Sequence, residues 1–179
     1  MTRYLAFLRG VNVGGKSLIS MAALKTALSK DGPEDVSTYI QSGNVLFSSK
    51  GTDTDKLAAQ IRGTIKRHFK LDVGVAVFSQ AEWAKVIHDA PSWWGKKKEW
   101  KHNLWIFLES RTKQEIVAEI GTLKPDIESM EIGHRVVYQS LSFQFFGRAT
   151  SGRLASRPIY KVLTIRNYNT ANKLLALLG

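Results

Sequence analysis

The octapeptide GVNVGGKS, from Gly10 to Ser17, matches the pattern G-x-x-x-x-G-K-S of the phosphate loop in nucleoside triphosphatases. In such a loop the backbone amides cradle the phosphates, the lysine (here Lys16) reaches the terminal phosphates, and the serine hydroxyl holds magnesium. The next helix must begin at the Gly-Lys-Ser itself, so that its positive end faces the anion. In this sequence the best helix-start signal is Ser20, one turn later.

A phosphate-loop enzyme also needs an apolar strand that ends in aspartate, for the metal, and a mostly parallel sheet. The matching apolar runs contain Ser79 and Glu109 at their ends instead. We therefore predict that the chain is not a phosphate-loop nucleoside triphosphatase. Two readings of the loop stay open. In the first reading, the glycine backbone together with Arg9 and Lys16 binds a phosphate without catalysis. In the second, the glycines only form a tight strand-to-helix turn.

Other catalytic and metal-binding patterns are not evident in the sequence. The chain has no cysteine, which excludes disulfides, thiolate metal sites and cysteine nucleophiles. A serine nucleophile motif of the G-x-S-x-G type is also missing. The four histidines are scattered, without the spacing of metal ligands: His68, His88, His102 and His134. We expect no metal and no cofactor, and the sequence leaves open whether the protein is an enzyme.

A segment rich in tryptophan and lysine, PSWWGKKKEWKHNLW, covers residues 91–105 and holds four of the five tryptophans. Indole faces stack on bases and lysines neutralise phosphates, so this mixture is typical of single-stranded nucleic-acid binding. The alternative is that the tryptophans fix a linker against a domain, and Trp105 is expected in a strand core. The candidate binding residues are Trp93, Trp94, Lys96, Lys97, Lys98, Trp100 and Lys101.

A second basic cluster lies between residues 145 and 167. Most of its cations are arginines, whose planar guanidinium suits bidentate phosphate contacts. Thr150, Ser151 and Gly152 would add hydroxyl and backbone donors. Alternatively, the arginines cap helices and bridge two domains. The candidate residues are Arg148, Arg153, Arg157 and Lys161, with Arg166 nearby.

The overall charge favours a polyanionic partner. The 179-residue chain carries a formal charge of +11 at pH 7, with a sequence pI of about 10. Such a charge predicts attraction to nucleic acid, phosphate ligands or anionic surfaces. No apolar stretch approaches the roughly 20 residues that span a bilayer, so no membrane segment is expected. The N-terminus lacks a signal-peptide cleavage pattern, which predicts a cytoplasmic protein.

Hydrophobic periodicity predicts the elements that carry these residues. In the first half, strands are expected over 3–10, 36–41, 44–49 and 73–79, with helices after Ser20 and over about 57–70. In the second half, strands are expected over 103–110, about 127–132, 134–140 and 161–165, with helices over 112–123, about 151–158 and 170–178.

Each half therefore has the order β-α-β-β-α-β, although the two halves share negligible sequence identity. This order predicts an α+β protein of two tandem ferredoxin-like (α/β-plait) domains with antiparallel sheets. We expect an N-terminal domain over residues 1–79 and a helix and basic, Trp-rich linker over 80–102. A C-terminal domain with an extra C-terminal helix is expected over 103–179.

Four segments together resemble the bacterial family catalogued as domain of unknown function 1697. They are LRGVNVGGK, YIQSGNVLF, the Gly/Ser/Arg segment after residue 147, and TIRNYNTANKLL. The family pattern usually reads R-G-I-N-V-G-G-K-N, S-G-N-V and T-R-N-W-N-T. This chain departs from it at Ser17, where the family commonly has asparagine, and at Tyr168, where it usually has tryptophan.

The resemblance covers essentially the whole chain and implies a compact cytoplasmic protein of two α/β-plait domains, with no established reaction. It also implies a ligand site built from polar and glycine residues beside the strands. The alternative is that the asparagines and glycines shape turns and that Thr170 caps the last helix. The positions concerned are Arg9, Asn12, Gly14, Gly15, Lys16, Ser42, Gly43, Asn44, Arg166, Asn167, Asn169 and Thr170.

The first functional hypothesis is a binding module for RNA or single-stranded nucleic acid, with RNA favoured. An RNA-recognition signature is missing from the third strand, so binding would depend on phosphate contacts more than on a base-stacking sheet. The alternative is an enzyme or sensor that holds a small phosphorylated ligand between the Gly10–Lys16 loop and Arg166-Asn167. A third possibility is a protein-interaction domain with tryptophan anchors.

Overall fold

The computed structural model describes residues 1–15 and 17–179, which form two compact units. The first unit contains Met1–Ala84 and Leu174–Gly179, and the second contains Lys85–Lys173. Each unit is built on one four-stranded antiparallel sheet. The predicted α+β class is therefore confirmed. Residues 80–102, predicted as helix and linker, contain a helix and the first residues of the second sheet.

The first unit has the strand order β2-β3-β1-β4. Its strands and helices are β1 (Thr2–Leu8), α1 (Met21–Lys30), β2 (Glu34–Tyr39), β3 (Asn44–Ser49), α2 (Thr54–Phe69) and β4 (Val75–Ser79). Helix α3 (Gln80–His88) begins in this unit, and its last four residues belong to the second unit.

Local signals set the helix limits of the first unit. Ser20 caps α1 as predicted, since its hydroxyl accepts a hydrogen bond from the amide of Ala23. Asp53 caps α2, and Lys70 ends it in the left-handed conformation. The two helices bury Leu24, Ile61 and other apolar side chains against one face of the sheet. That burial, more than helix propensity, holds α1 and α2 in place.

The second unit repeats this strand order as β6-β7-β5-β8. Its elements are β5 (Trp100–Phe107), α4 (Lys113–Ile120), β6 (Glu128–Ile132), β7 (Val136–Ser142), β8 (Leu163–Asn167) and α5 (Tyr168–Leu178), whose last residues belong to the first unit. Trp105 is fully buried in the core of this unit, as predicted.

The second unit differs from the prediction between β7 and β8. A helix was expected over about 151–158, but the segment forms three short 3-10 helices, at Phe146–Arg148, Ser151–Ser156 and Pro158–Val162. Glycine and proline punctuate this segment, and both disfavour a continuous α-helix. As a result, α4, of eight residues, is the one α-helix between the strands of this sheet in the described chain.

Among the described residues, no helix combines the length and the apolar character that a membrane span requires. The same residues contain no cluster of three or more histidine, aspartate or glutamate side chains placed to hold a metal ion.

Candidate nucleic-acid interface

In the first unit, Asn12 ties the glycine-rich loop to the turn between β2 and β3. Its amide nitrogen donates to the carbonyls of Ile19 and Gln41, at 3.0 and 2.9 Å. Its amide oxygen accepts from the backbone N–H of Ile19 at 2.8 Å. The structure therefore brings the two predicted segments of the first unit together, and the Asn12 side chain is part of what joins them.

The turn itself contains Ser42 and Gly43, and Asn44 is the first residue of β3. Gly43 has φ +76°, and a Cβ there would lie 2.5 Å from Val11 Cγ2, so glycine is required by both conformation and space. Asn44 is fully buried, and its amide donates to the carbonyl of Tyr39 and to the Ser42 hydroxyl. These side chains shape the turn, as the alternative reading of the family motif proposed.

The loop glycines are more open. Gly14 and Gly15 are exposed with φ +59° and +73°, and a Cβ at either would meet nothing within 4 Å. Arg9 is half-buried at the start of the loop. Lys16 lies outside the described residues. Helix α1 begins at Met21, four residues beyond the serine of the phosphate-loop pattern, and the sheet is antiparallel.

The other half of the predicted ligand site, from Arg166 to Thr170, lies in the second unit. Arg166 is 6% exposed and donates to the Thr164 hydroxyl and the Ile165 carbonyl, each at 2.8 Å. Burial lowers its pKa to about 10, so it is still a cation at neutral pH. The Asn167 side chain accepts from the N–H of Thr170 at 2.8 Å and so caps the first turn of α5.

Tyr168 and Asn169 complete that segment. The Tyr168 ring lies 4.8 Å from the ring of Trp94, edge to face. It also lies so close to Gly95 that a Cβ there would be 2.3 Å from Tyr168 Cε2. The aromatic residue that the family pattern has at this position is thus a packing residue in this chain. Asn169 is exposed, whereas Thr170 is buried. The expectation that Thr170 caps the last helix is wrong, because α5 begins at Tyr168 and Asn167 accepts the hydrogen bond from Thr170 N–H.

The tryptophans of the Trp/Lys segment divide by exposure. Trp94 and Trp100 are buried, at 4% and 9% exposure, so their ring faces are not free to stack on bases. Trp94 packs on Tyr138, and its indole N–H donates to the Asn103 carbonyl at 3.0 Å. Trp93 is half-buried. Trp94 and Trp100 therefore fit the alternative to nucleic-acid binding, in which the tryptophans hold this segment against the rest of the unit.

The lysines of that segment are exposed, with Lys96, Lys97 and Lys98 on the turn before β5 and Lys101 in β5 itself. The Lys97 carbonyl accepts from Trp100 N–H at 3.0 Å and lies 2.7 Å from His102 Nε2. His102 Nδ1 lies 2.6 Å from the Ser140 hydroxyl. The Lys97 ammonium lies 3.9 Å from the centre of the Trp100 ring, a cation–π contact. Lys96, Lys97, Lys98 and Lys101 are all exposed.

Sequence reasoning missed the phenylalanines that follow β7. Phe143 and Phe146 are 60% and 43% exposed, and Phe145 is half-buried. The signal was present in the sequence SFQFFGR, where three aromatics precede an arginine within six residues. That signal is weak, because apolar residues after a strand are usually expected in a core.

Strand pairing brings these phenylalanines next to the lysines. Trp100 pairs with Ser142 in the sheet, and Phe143 N–H donates to the Glu99 carbonyl at 3.3 Å. The Lys101 ammonium lies 5.5 Å from the centre of the Phe146 ring. The Arg148 guanidinium carbon lies 5.4 Å from the centre of the Phe145 ring. We call this set the Phe/Lys surface: Lys96, Lys97, Lys98, Lys101, Phe143, Phe145, Phe146 and Arg148.

The remaining cations of the second cluster are not all free for a partner. Arg157 donates to the Glu119 carbonyl and is half-buried, whereas Arg153 and Lys161 are exposed. The predicted donors Thr150 and Ser151 have internal partners, because both backbone N–H groups donate to the buried Glu128 carboxylate at 2.9 Å. They hold the 3-10 segment in place.

The Glu128 carboxylate holds that segment through several hydrogen bonds. Its carboxylate also accepts from the Ser151 hydroxyl at 2.6 Å and from Lys124 N–H at 3.0 Å. Burial by itself raises the pKa of this carboxyl, but the hydrogen bonds outweigh it and hold the pKa below its ordinary value. Glu128 is therefore ionised at neutral pH and stabilises the connection between β7 and β8.

The sheet faces opposite the helices are buried in both units. In the first unit, Phe7 and Phe78 are fully buried, and the Trp83 ring lies 4.8 Å from the Phe7 ring. In the second, Leu104 and Tyr138 are at most 2% exposed, and burial raises the pKa of Tyr138 to about 12. An open sheet that stacks bases, as in RNA-recognition domains, is therefore not offered by either unit.

Comparisons with known proteins agree with this architecture. A search of curated proteins gives no match. A solved structure of a conserved bacterial protein from Streptococcus pneumoniae is similar to this chain with a TM-score of 0.88 and 26% identity, over 99% of each chain. Residues 1–138 match the family model described as protein of unknown function (DUF1697). On these grounds, the chain belongs to the DUF1697 family, as the motifs around Gly10, Gly43 and Arg166 led us to expect.

Proposed function

We propose that the protein binds single-stranded nucleic acid, RNA in the first place, through the Phe/Lys surface of its second unit. One observation carries the proposal: Phe143 and Phe146 expose 60% and 43% of their surface beside exposed cations. Exposed aromatic rings among lysines and arginines form the usual platform for unpaired bases and their phosphates. The net charge of +11 supports a polyanionic partner.

The shape of the surface favours single strands over duplexes. Stacking on a phenylalanine ring needs a base whose face is open, which paired bases in a duplex do not offer. The Lys101 ammonium lies 5.5 Å from the centre of the Phe146 ring, and the Arg148 guanidinium lies 5.4 Å from that of Phe145. A base stacked on either ring would therefore have a cation nearby for its phosphate. The turn that presents Lys97 is held by His102 and Trp100, which limits the ordering cost of binding.

We further propose that each unit is a ferredoxin-like domain and that the protein works in the cytoplasm. The strand orders β2-β3-β1-β4 and β6-β7-β5-β8 support the fold assignment, with the second long helix replaced in the second unit. The fold by itself does not imply nucleic-acid binding. That part of the proposal depends on the Phe/Lys surface.

The test is fluorescence anisotropy with labelled 12-nucleotide single-stranded RNA and DNA and a duplex of the same sequence, at about 50 mM salt. We expect the single strands to bind more tightly than the duplex. Phe143→Ala and Phe146→Ala should each weaken binding about 5- to 150-fold, because stacking contributes about 1–3 kcal/mol per base.

Matched controls separate the surface from general effects. Leu18→Ala removes a side chain that is 71% exposed in the first unit, and Lys25→Ala removes an exposed cation from α1. Both should leave affinity within about twofold of wild type. Absence of binding at about 50 mM salt, or equal losses in the controls and the phenylalanine variants, would contradict the proposal.

A second candidate is a small phosphorylated ligand at the glycine-rich loop. The exposed Gly14 and Gly15, with open space where a Cβ would lie, favour it, because a phosphate could approach their backbone closely. A nucleotide or sugar phosphate that binds there raises the melting temperature by mass action, and Lys16→Ala should remove the shift. A broad panel of such ligands that shifts nothing would contradict this candidate.

A further inference from the structure

The second unit has an open cavity lined largely by apolar side chains. Its volume is about 450 Å³, between helix α4 and strand β6. Its lining comes from α4, from the segment that follows this helix, and from β6. Six of the side chains around it are Lys113, Val117, Ile120, Leu123, Met130 and Ile132. Val117 is 53% exposed, so the apolar lining is open to solvent.

Strand β6 forms one wall of this cavity and is the end strand of its sheet. Its pairing with β7 is regular over all five residues. By contrast, the end strand β2 of the first unit is interrupted by a register shift between Glu34 and Ser37, and Asp35 there has φ +48°. Irregularities of this kind protect a sheet edge from further pairing. β6 shows no register shift.

The register fixes which backbone groups of β6 point outward. Gly133 N–H donates to the carbonyl of its partner Val136, and Ser142 N–H donates to that of Ile127. Hydrogen-bonded pairs alternate along an antiparallel ladder, so Ser129 and Glu131 bond to β7. The N–H and C=O groups of Met130 and Ile132 therefore face away from β7, along the outer edge.

The same two residues put their side chains into the cavity wall. A strand added along the outer edge of β6 would thus bond to Met130 and Ile132 and place its own residues opposite them on the cavity side. The residue of the added strand that lies between these two would have its side chain on the other face of the sheet, opposite the exposed Glu131. A basic side chain at that position would form a cross-strand pair with the Glu131 carboxylate.

We propose that β6 and its cavity bind an extended peptide segment of the pattern apolar–Lys/Arg–apolar, as an added antiparallel strand. The main chain supplies hydrogen bonds to Met130 and Ile132, the two apolar side chains enter the cavity, and Glu131 selects the basic residue. The cavity is large enough for two aliphatic side chains of valine or leucine size. This site does not depend on the nucleic-acid proposal.

The probe is a blocked pentapeptide, acetyl-Thr-Val-Lys-Val-Thr-amide, titrated into the full-length protein and followed by amide hydrogen exchange with NMR detection. In the free protein, the amides of Met130 and Ile132 should exchange quickly and that of Glu131 slowly. At saturation, exchange at Met130 and Ile132 should slow about tenfold or more, with little change at Glu131. Protection elsewhere, without these two amides, would overturn the proposal.

Charge reversal tests the selection. Glu131→Lys should weaken binding of the lysine peptide roughly fivefold and strengthen binding of the matching peptide with glutamate at its centre, because a like-charge pair replaces an opposite one. Val117→Trp, which fills the cavity, should weaken both peptides, with the melting temperature confirming the fold. Equal affinity of wild type for the two peptides would contradict the proposal. So would concentration-dependent protection of Met130 without peptide, since a second copy would then cover the edge.

Discussion

Asn12, Asn44 and Asn167 each use the side-chain amide to hold a turn. In the sequence, the same residues are equally compatible with a ligand site, because asparagine presents the same donor and acceptor to a ligand and to the backbone. A sequence motif therefore does not distinguish a residue that binds a ligand from one that stabilises a turn. Two predictions about stability concern single residues of this kind.

The first concerns Glu128. Glu128→Gln should destabilise the protein by about 1.5–3 kcal/mol at pH 7, because four hydrogen-bond donors lose a charged acceptor. Denaturant unfolding with the linear extrapolation measures this.

The pH dependence of that loss follows from the lowered pKa of Glu128. A carboxyl with a lower pKa in the folded state stabilises the fold above its unfolded pKa, about 4.3, and the stabilisation is lost as the pH falls through the folded pKa. The difference between wild type and Glu128→Gln should therefore shrink below about pH 4. A difference that is constant from pH 7 to pH 3 would contradict this account.

The second concerns two glycines with similar φ. Gly43→Ala places a Cβ 2.5 Å from Val11 Cγ2, whereas Gly14→Ala places it in open space. Both variants should lose about 1 kcal/mol of stability because alanine disfavours the left-handed conformation. Gly43→Ala should lose about 1–3 kcal/mol more, because its Cβ clashes with Val11. Thermal and urea unfolding of the pair isolate the steric effect. Equal losses would show that the turn moves to make room.

At the scale of elements, the turn from Pro91 to Glu99 is held by an aromatic cluster. Trp94 contacts both Tyr138 and Tyr168, with ring centres 5.4 and 4.8 Å apart. This cluster joins the turn to β7 and to the start of α5, three elements distant in sequence. It explains why tryptophans in a lysine-rich segment are buried here.

That packing gives a prediction for Tyr168. Tyr168→Ala should destabilise the protein by about 3 kcal/mol, because it leaves a cavity between Trp94 and Gly95. Tyr168→Phe keeps the ring and should cost less than about 1 kcal/mol. Differential scanning calorimetry of both variants measures the contrast, and a comparable loss in Tyr168→Phe would show that the hydroxyl, and not the ring, holds the cluster.

Sequence patterns predicted some of the helices and strands better than others. Ser20 and the apolar spacing of Leu24 and Leu28 predicted α1 because helix caps and periodicity are local. The segment from Phe146 to Val162 was harder, since its conformation depends on Glu128, about 20 residues earlier in the chain. Strand β5 began earlier than predicted because Trp100 and His102 pair with β7 despite the polar residues around them.

At the scale of the whole molecule, the formal charge of +11 predicts how binding responds to salt. If about four lysines and arginines of the Phe/Lys surface neutralise phosphates, affinity for a single strand should fall about 50-fold between 50 and 200 mM salt. Replacing Lys101 with alanine should reduce the slope of log K against log salt by about 0.7. A salt-independent affinity would contradict an electrostatic interface.

The sequence by itself determined the class of the fold, the order of the strands along the chain, the charge and the family motifs. Each of these depends on composition or on residues close together in the chain. Only the tertiary structure decided that Trp94 and Trp100 are buried and that Phe143 and Phe146 are exposed. It likewise decided that β6 has a regular outer edge beside a cavity. The physical reason is that burial depends on which distant surfaces pack together, and aromatic residues of the same type gain from either packing or binding.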